Sequence, residues 1–235
     1  MDMEDPTRSI TPTLDGPVLA ALARAGRPLT VGEVAAVTVR GSEIGVRRCL
    51  ARLVAQGLVQ ATEMGRNRVH ELNREHVAAP IATMMDDLRI ELWRRMRKEL
   101  GGWKPKPLYA CVFGSAARAE GDADSDVDLL LVHPPFPGEA KPPRKANVID
   151  AAAAFMTAPL SASPAEVTRW PRHIDKLRAH VLLWSGNPLQ VVDLSFAEWV
   201  DRKQNAALIA EIERDAIDLV GNSIVADPAR TNRTV

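Results

Sequence analysis

Two aspartates separated by one residue, Asp126 and Asp128, begin an apolar run near the middle of the chain. Alternate residues of a β-strand share a face, so the two carboxylates would lie side by side and repel each other unless a divalent cation sits between them. Ten residues separate them from Gly114 and Ser115, which end another apolar run. A turn of this kind that opens a helix offers free backbone N–H groups to a phosphate. Metal-binding carboxylates close to a phosphate-binding turn indicate nucleotide chemistry.

The surrounding pattern predicts a strand, a short helix and a second strand. Residues 108–113 and 127–132 are apolar runs of strand length, and a polar segment joins them. Each half of the motif alone is more often structural, because Gly-Ser turns are common and acids at a strand start are often solvated. The combination is specific because the spacing, the residue types and both flanking runs must agree.

The motif resembles that of the nucleotidyltransferase superfamily, whose members include DNA polymerase beta, kanamycin nucleotidyltransferase and small bacterial antitoxin-type nucleotidyltransferases. The residues that carry the resemblance are Phe113-Gly114-Ser115 and Asp126-Val127-Asp128. The resemblance implies an α/β (α+β) nucleotidyltransferase fold, in which a short mixed sheet is flanked by helices.

The chain departs from the small bacterial members at two positions. Those members often read Gly-Ser-Arg-Ala-Arg-Gly, whereas this chain has Ala116 in place of the first arginine and Ala119 in place of the last glycine. Arg118 matches the second arginine. One phosphate contact is therefore missing from the expected set, while the expected fold is unchanged.

The resemblance implies two sets of site residues. The first would be catalytic and would hold Mg²⁺, as two ions in the mechanism of the family: Asp126, Asp128 and Asp193. The second would bind the nucleoside triphosphate: Gly114, Ser115 and Arg118.

Asp193 is included because it lies near the end of a short apolar run, residues 189–194, and the family places its third carboxylate on such a strand. An acid within an apolar run needs a partner, which a metal, a lysine or an arginine could provide. The alternative is a helix N-cap or an acid at the edge of a sheet, because Ser195 and Glu198 follow.

The expected activity is Mg²⁺-dependent transfer of a nucleoside monophosphate, AMP from ATP, onto a hydroxyl group. The acceptor could be a toxin partner protein, a transfer RNA or a small molecule. The alternative function is a DNA-binding transcriptional regulator or antitoxin whose nucleotidyltransferase-like domain binds nucleotide without transferring it.

The N-terminal region predicts three helices followed by a β-hairpin, and it resembles a winged helix-turn-helix domain over residues 14–78. From residue 40 to residue 74 there are seven arginines and three glutamates, so this region is locally basic. Contact with DNA or RNA is expected there, although such domains also bind proteins. The expected contact residues are Arg47, Arg48, Arg66 and Arg68.

Composition limits the remaining choices. The chain has 235 residues, enough for one large domain or two small ones, and its 30 basic residues balance its 30 acidic ones, so any basic surface must be local. Cys49 and Cys111 are expected to be buried free thiols in a reducing compartment. No apolar run approaches the roughly 20 residues of a membrane span, and no signal peptide is recognisable, which predicts a cytoplasmic protein.

The predicted domain order is a flexible arm (1–13), the winged helix-turn-helix domain (14–78), the nucleotidyltransferase domain (79–225) and a flexible tail (226–235). One long helix is predicted over residues 80–100, and a final helix over residues 205–220. Between them, the proline-rich segment 133–147 could cover the nucleotide or be a surface insertion.

Overall fold

The structure, a computed structural model, describes residues 1–139, 162–201 and 205–221. Most of the proline-rich segment and the predicted tail 226–235 lie outside the described residues. The chain divides into two compact units, Met1–Glu91 and Leu92–Val235, so the division falls later than the boundary expected near residue 78. None of the described helices combines the length and the hydropathy that crossing a membrane requires.

The first unit contains helices packed against a small antiparallel sheet with strand order β1-β3-β2. Its buried cluster includes Val18, Leu22, Val46 and Leu50. The elements are α1 (Asp15–Ala25), β1 (Leu29–Thr30), α2 (Val31–Val37), α3 (Glu43–Ala55), β2 (Val59–Met64), β3 (Asn67–Leu72) and α4 (Ala79–Asp86).

Local signals in the sequence explain where these helices begin. The Thr30 side chain accepts a hydrogen bond from the backbone N–H of Glu33, and the Glu33 carboxylate accepts one from Thr30, which confirms the capping box expected at the start of α2. Ser42 caps α3 through the N–H of Gly45. The single long helix predicted over residues 80–100 is instead two helices, α4 and α5 (Leu88–Gly101), which meet at Asp87.

Residues 1–13, expected to be a flexible arm, have defined contacts. A 3₁₀ helix spans Pro6–Ser9, and the preceding Asp5 is only 4% exposed. The Asp5 carboxylate accepts hydrogen bonds from Thr7 and from the guanidinium of Arg40. A buried carboxylate needs such partners, and the sequence pattern did not predict them because Arg40 is distant in the chain.

The second unit is a mixed α/β arrangement, as the resemblance implied. Its four-stranded sheet has the order β6-β5-β4-β7, in which β5 and β6 are parallel and the other two pairs are antiparallel. After α5 the elements are β4 (Tyr109–Phe113), α6 (Gly114–Arg118), β5 (Val127–His133), α7 (Pro164–Ser185), β6 (Leu189–Ser195), α8 (Phe196–Val200), α9 (Ala206–Asp215) and β7 (Ile217–Val220).

The two faces of this sheet pack against different helices. On one face, Leu130 and Val132 share a buried cluster with Trp199 of α8 and Ile212 of α9. On the other face, Trp170 of α7 contacts the ring of His133. The two faces follow from the alternation of side chains along β5 and β6.

The helix predicted over residues 205–220 ends at Asp215, and the chain continues as strand β7. Ala216 has an extended backbone (ψ 144°), which ends the helix. Residues Ile217 and Asp218 then pair with Val112 and Cys111 of β4. An apolar segment this short fits both helical and strand periods, so the sequence alone did not separate them.

Both cysteines are buried free thiols, as expected. Loss of hydration raises the pKa of Cys49 to about 11 and that of Cys111 to about 12. Both therefore remain protonated at neutral pH.

Candidate active site

The Gly-Ser turn and the second aspartate of the motif are in direct contact. Phe113, the last residue of β4, pairs with Asp128 on β5, and α6 begins at Gly114. Gly114 has a left-handed backbone (φ +70°), and a Cβ atom there would lie 2.6 Å from Oδ2 of Asp128. Glycine is therefore needed both for the backbone conformation and for the close approach of the carboxylate.

Asp126 and Asp128 lie near each other at the start of β5, and both are partly buried. The pKa of Asp128 is raised, chiefly by loss of hydration and then by the negative charges of Asp126 and Glu211. This is the like-charge repulsion expected from the sequence. Oxygen ligands of this kind suit a divalent cation, so the two residues fit the metal that the resemblance implies.

The side chain beside this pair on β6 is a glutamine, which the sequence prediction missed. In the parallel register of β5 and β6, Gln190 lies opposite Asp128, and its Nε2 atom donates a hydrogen bond to Oδ2 of Asp126 over 3.2 Å. No local signal marks this residue, because its place depends on the register between two strands that are distant in sequence.

The structure does not bring Asp193 to this pair, which corrects the prediction of a third catalytic carboxylate there. Asp193 lies opposite Leu131, three residues beyond the Asp128–Gln190 pair, and so faces the other side of the sheet. Its Oδ2 atom accepts a hydrogen bond from Nε1 of Trp170 over 2.8 Å. The strand was predictable from its apolar residues, but the register that decides which face Asp193 occupies was not.

The surroundings of Asp193 differ from those of Asp128. The residue as a whole is exposed at the edge of the sheet, but its carboxylate faces α7. Loss of hydration raises the pKa of Asp193, while the Trp170 hydrogen bond and the charge of His133 oppose that rise. Within the described ranges, no group of three or more His, Cys, Asp or Glu side chains is arranged to hold a metal ion. The expected set of three carboxylates is therefore reduced to two.

Arg118, predicted to bind the triphosphate, is surrounded by acids. Its Nε atom lies 2.7 Å from Oε2 of Glu120, and its Nη1 atom lies 3.7 Å from Glu211 and 3.6 Å from Asp215. The hydrogen bond to Glu120 is the main cause of its raised pKa. The acids on α9 were not predicted, because their contact with α6 depends on tertiary packing.

The turn itself extends from Gly114 through α6 to Ala119. Ser115, the second residue of α6, is partly buried, and its backbone carbonyl accepts a hydrogen bond from the N–H of Glu120. Ala119 is the only described non-glycine residue with a positive φ, at 61°. It occupies the position where the small bacterial members have glycine, and its conformation is one that glycine adopts at lower cost.

The four arginines predicted to contact nucleic acid are all exposed. Arg47 and Arg48 lie on α3, Arg66 lies in the turn between β2 and β3, and Arg68 lies on β3. Arg47 forms an ion pair with Glu43 at 2.7 Å, and Arg68 lies 3.9 Å from Glu63. Exposed pairs of this kind are weak and can exchange an acid for a phosphate.

Comparison with known families agrees with the motif. Residues 91–183 match the family model described as a nucleotidyltransferase domain. The matched stretch contains Gly114, Asp126 and Asp128 and ends before β6. Neither a comparison with curated proteins nor one with solved structures gave a match. The match supports the nucleotidyltransferase superfamily for this stretch and nucleotidyl transfer as its general chemistry.

Proposed function

We propose that the chain is a Mg²⁺-dependent nucleotidyltransferase that moves AMP from ATP onto a hydroxyl group. The observation that carries this proposal is the contact between Gly114 and Asp128, inside the stretch that matches the nucleotidyltransferase family model. It joins a turn suited to phosphate with a carboxylate pair suited to a divalent cation.

Asp126 and Asp128 would hold Mg²⁺, and Gly114 and Ser115 would bind the phosphates through backbone N–H groups and the hydroxyl. The acceptor oxygen forms a bond to the α-phosphorus while the bond to the β-phosphate oxygen breaks, so pyrophosphate leaves and the acceptor loses a proton. Bound Mg²⁺ would neutralise negative charge that develops during this exchange.

Arg118 would have to exchange carboxylates for phosphate oxygens when nucleotide binds. Its side chain is 27% exposed, so a triphosphate can approach it. Both partners are anionic oxygens, and a guanidinium binds phosphate through the same N–H groups that bind a carboxylate. Nucleotide binding is thus expected to weaken the contact of Arg118 with the acids of α9.

The test is transfer of label from ATP that carries radioactive α-phosphate, in the presence of Mg²⁺. The acceptors supplied are the product of the neighbouring gene as a toxin candidate, transfer RNA and small-molecule alcohols. Label should move to one of them, and Asp126→Ala and Asp128→Ala should abolish the movement. Absence of transfer to any acceptor, with nucleotide still bound, would favour the second function below.

The second candidate function is a nucleic-acid-binding regulator or antitoxin whose catalytic-type unit binds nucleotide without transfer. Two observations favour it. Gln190, an amide, is the β6 residue opposite Asp128, whereas Asp193, the predicted third acid, lies three residues further along that strand. The first unit also has the element order of a winged helix-turn-helix domain, with α3 as the expected recognition helix and the β2–β3 hairpin as the wing.

A gel-shift experiment with DNA from the promoter of the chain's own gene tests the second function. We expect Arg47→Ala with Arg48→Ala to weaken binding, and the salt dependence of binding to decrease as phosphate contacts are lost. Asp126→Ala should leave the shift unchanged and serves as the matched control. Equal binding by the natural protein, the double arginine variant and Asp126→Ala would mean that Arg47 and Arg48 do not contact the DNA.

A further inference from the structure

We propose that Gln190 replaces a metal-binding carboxylate, so that the site holds a single divalent cation with a bound triphosphate. This inference rests on the proposed binding of nucleotide at Asp126 and Asp128. It departs from the two cations that the resemblance implied.

The register of β5 and β6 places Gln190 beside the two aspartates. Gln190 is the residue of β6 opposite Asp128, and paired residues of neighbouring strands lie on the same face about 5 Å apart. A residue of β6 that served as a third ligand would therefore occupy this position. Asp193 cannot substitute for it, because its side chain lies on the opposite face and binds Trp170.

The amide of Gln190 acts here as a hydrogen-bond donor and not as a metal ligand. The Nε2 atom of Gln190 donates to Oδ2 of Asp126, so the amide presents its positive end to the carboxylate pair. A glutamate there would add a third negative charge, whereas the glutamine offsets part of the existing repulsion. Small divalent cations prefer charged carboxylate oxygens, so the amide is a poor ligand for a second ion.

Among the described residues, Glu211 also acts on this pair, but it already lies close to an arginine. Glu211 raises the pKa of Asp128, but its carboxylate also lies 3.7 Å from Nη1 of Arg118. The described residues hold no cluster of three metal-binding side chains. Two carboxylates therefore remain to hold a cation, and both would contact the ion that arrives with the triphosphate.

The test counts bound Mn²⁺ by electron paramagnetic resonance, with the full chain and a non-hydrolysable ATP analogue. We expect one Mn²⁺ per chain in the natural protein and a second in Gln190→Glu, which has the same shape and adds a carboxylate. Asp193→Asn is the matched control and should still bind one. Circular dichroism checks that each variant is folded.

Two Mn²⁺ ions in the natural protein would overturn the inference while leaving the proposed function intact, and that result does not depend on any variant. A folded Gln190→Glu that still binds one ion would also overturn it. If the natural protein binds no analogue at any Mn²⁺ concentration, the proposed function fails and the inference fails with it.

Discussion

On one face of the four-stranded sheet, Asp128 lies beside Asp126 and Gln190, and on the other face Asp193 lies beside Trp170. Asp128 and Asp193 belong to the neighbouring strands β5 and β6, and loss of hydration raises the pKa of both. The remaining causes differ. Like charges raise the pKa of both residues further, but for Asp193 the Trp170 hydrogen bond and the charge of His133 act in the opposite direction, and Asp128 has no such partner among its causes.

The difference shows which acids are available for chemistry. The Asp126–Asp128 pair keeps a repulsion that a cation would relieve, while Asp193 already has a donor that stabilises its charged form. Position along a strand decides the outcome, because a shift of one residue moves a side chain to the other face. The comparison between the faces can be tested by changing each of them in turn.

Loss of a metal-binding carboxylate should reduce catalysis more than any other change proposed for this sheet. Asp128→Asn should reduce AMP transfer by more than about 100-fold. Mutation of residues that only hydrogen-bond to a metal ligand already lowers activity by about 10–100-fold, and Asp128 would itself be a ligand. The matched variant on the other face, Asp193→Asn, should change the rate by less than about threefold. The rates are measured as pyrophosphate release at saturating ATP and Mg²⁺. Equal losses in the two variants would contradict the separation of the faces.

Gly114→Ala should destabilise the protein by two effects. The left-handed backbone costs about 1–2 kcal/mol for a residue other than glycine, and the overlap with Oδ2 of Asp128 adds about 1–3 kcal/mol. Gly65→Ala is the control, since Gly65 has φ +64° and nothing within 4 Å of an added Cβ atom. Urea unfolding should show a larger loss for Gly114→Ala. Equal losses would mean that Asp128 moves aside freely.

Trp170→Phe removes the hydrogen-bond donor from Asp193 on the opposite face. We expect the lost hydrogen bond to cost about 1 kcal/mol in the free energy of unfolding, and the smaller ring in this buried position to add a cavity cost of similar size. The pKa of Asp193 should rise further, because the bond stabilises the charged carboxylate. Nucleotide binding at Asp126 and Asp128 should be unchanged. Carbon-detected NMR titration of the aspartate carboxyls measures the pKa of Asp193. A fall in that pKa would contradict the role of the Trp170 hydrogen bond in stabilising the charged carboxylate.

The raised pKa of Asp128 also predicts a dependence of stability on pH. Between its unfolded and its folded pKa, the folded chain keeps a proton that the unfolded chain releases, so this group lowers stability as pH rises through that window. Asp128→Asn should therefore raise the free energy of unfolding at pH 7 in metal-free buffer. The gain should vanish below the ordinary aspartate pKa. Unfolding at pH 7 and at about pH 3.5 tests this, and a gain independent of pH would contradict it.

A change at the end of α6 should alter stability only slightly. Ala119→Gly should stabilise the protein by up to about 1 kcal/mol, because glycine adopts the left-handed conformation without steric cost. Ala117→Gly, within the same helix, should instead destabilise by about 1 kcal/mol. Thermal unfolding compares the two, and a loss in both variants would show that the conformation of Ala119 is not strained.

Local pattern and tertiary placement were not equally predictable from the sequence. The contact of Gly114 with Asp128 joins neighbouring strands through a short connection. The apolar runs, the Gly-Ser turn and the two aspartates are all visible in the local sequence, so this contact was predictable. The roles of Gln190 and Asp193 depend on the register of two parallel strands joined by a long connection, which no local periodicity records. The acids around Arg118 depend on the packing of α9, and strand β7 depends on a free edge of the sheet at β4.

The metal site at Asp126 and Asp128 is tested most directly by locating Mn²⁺, through its anomalous scattering, in crystals of the chain with a non-hydrolysable ATP analogue. We expect a peak bonded to carboxylate oxygens of both Asp126 and Asp128, with the triphosphate at the Gly114 turn and no peak near Asp193. A peak bonded to Asp193, or a triphosphate on the Trp170 face of the sheet, would contradict a metal site at Asp126 and Asp128.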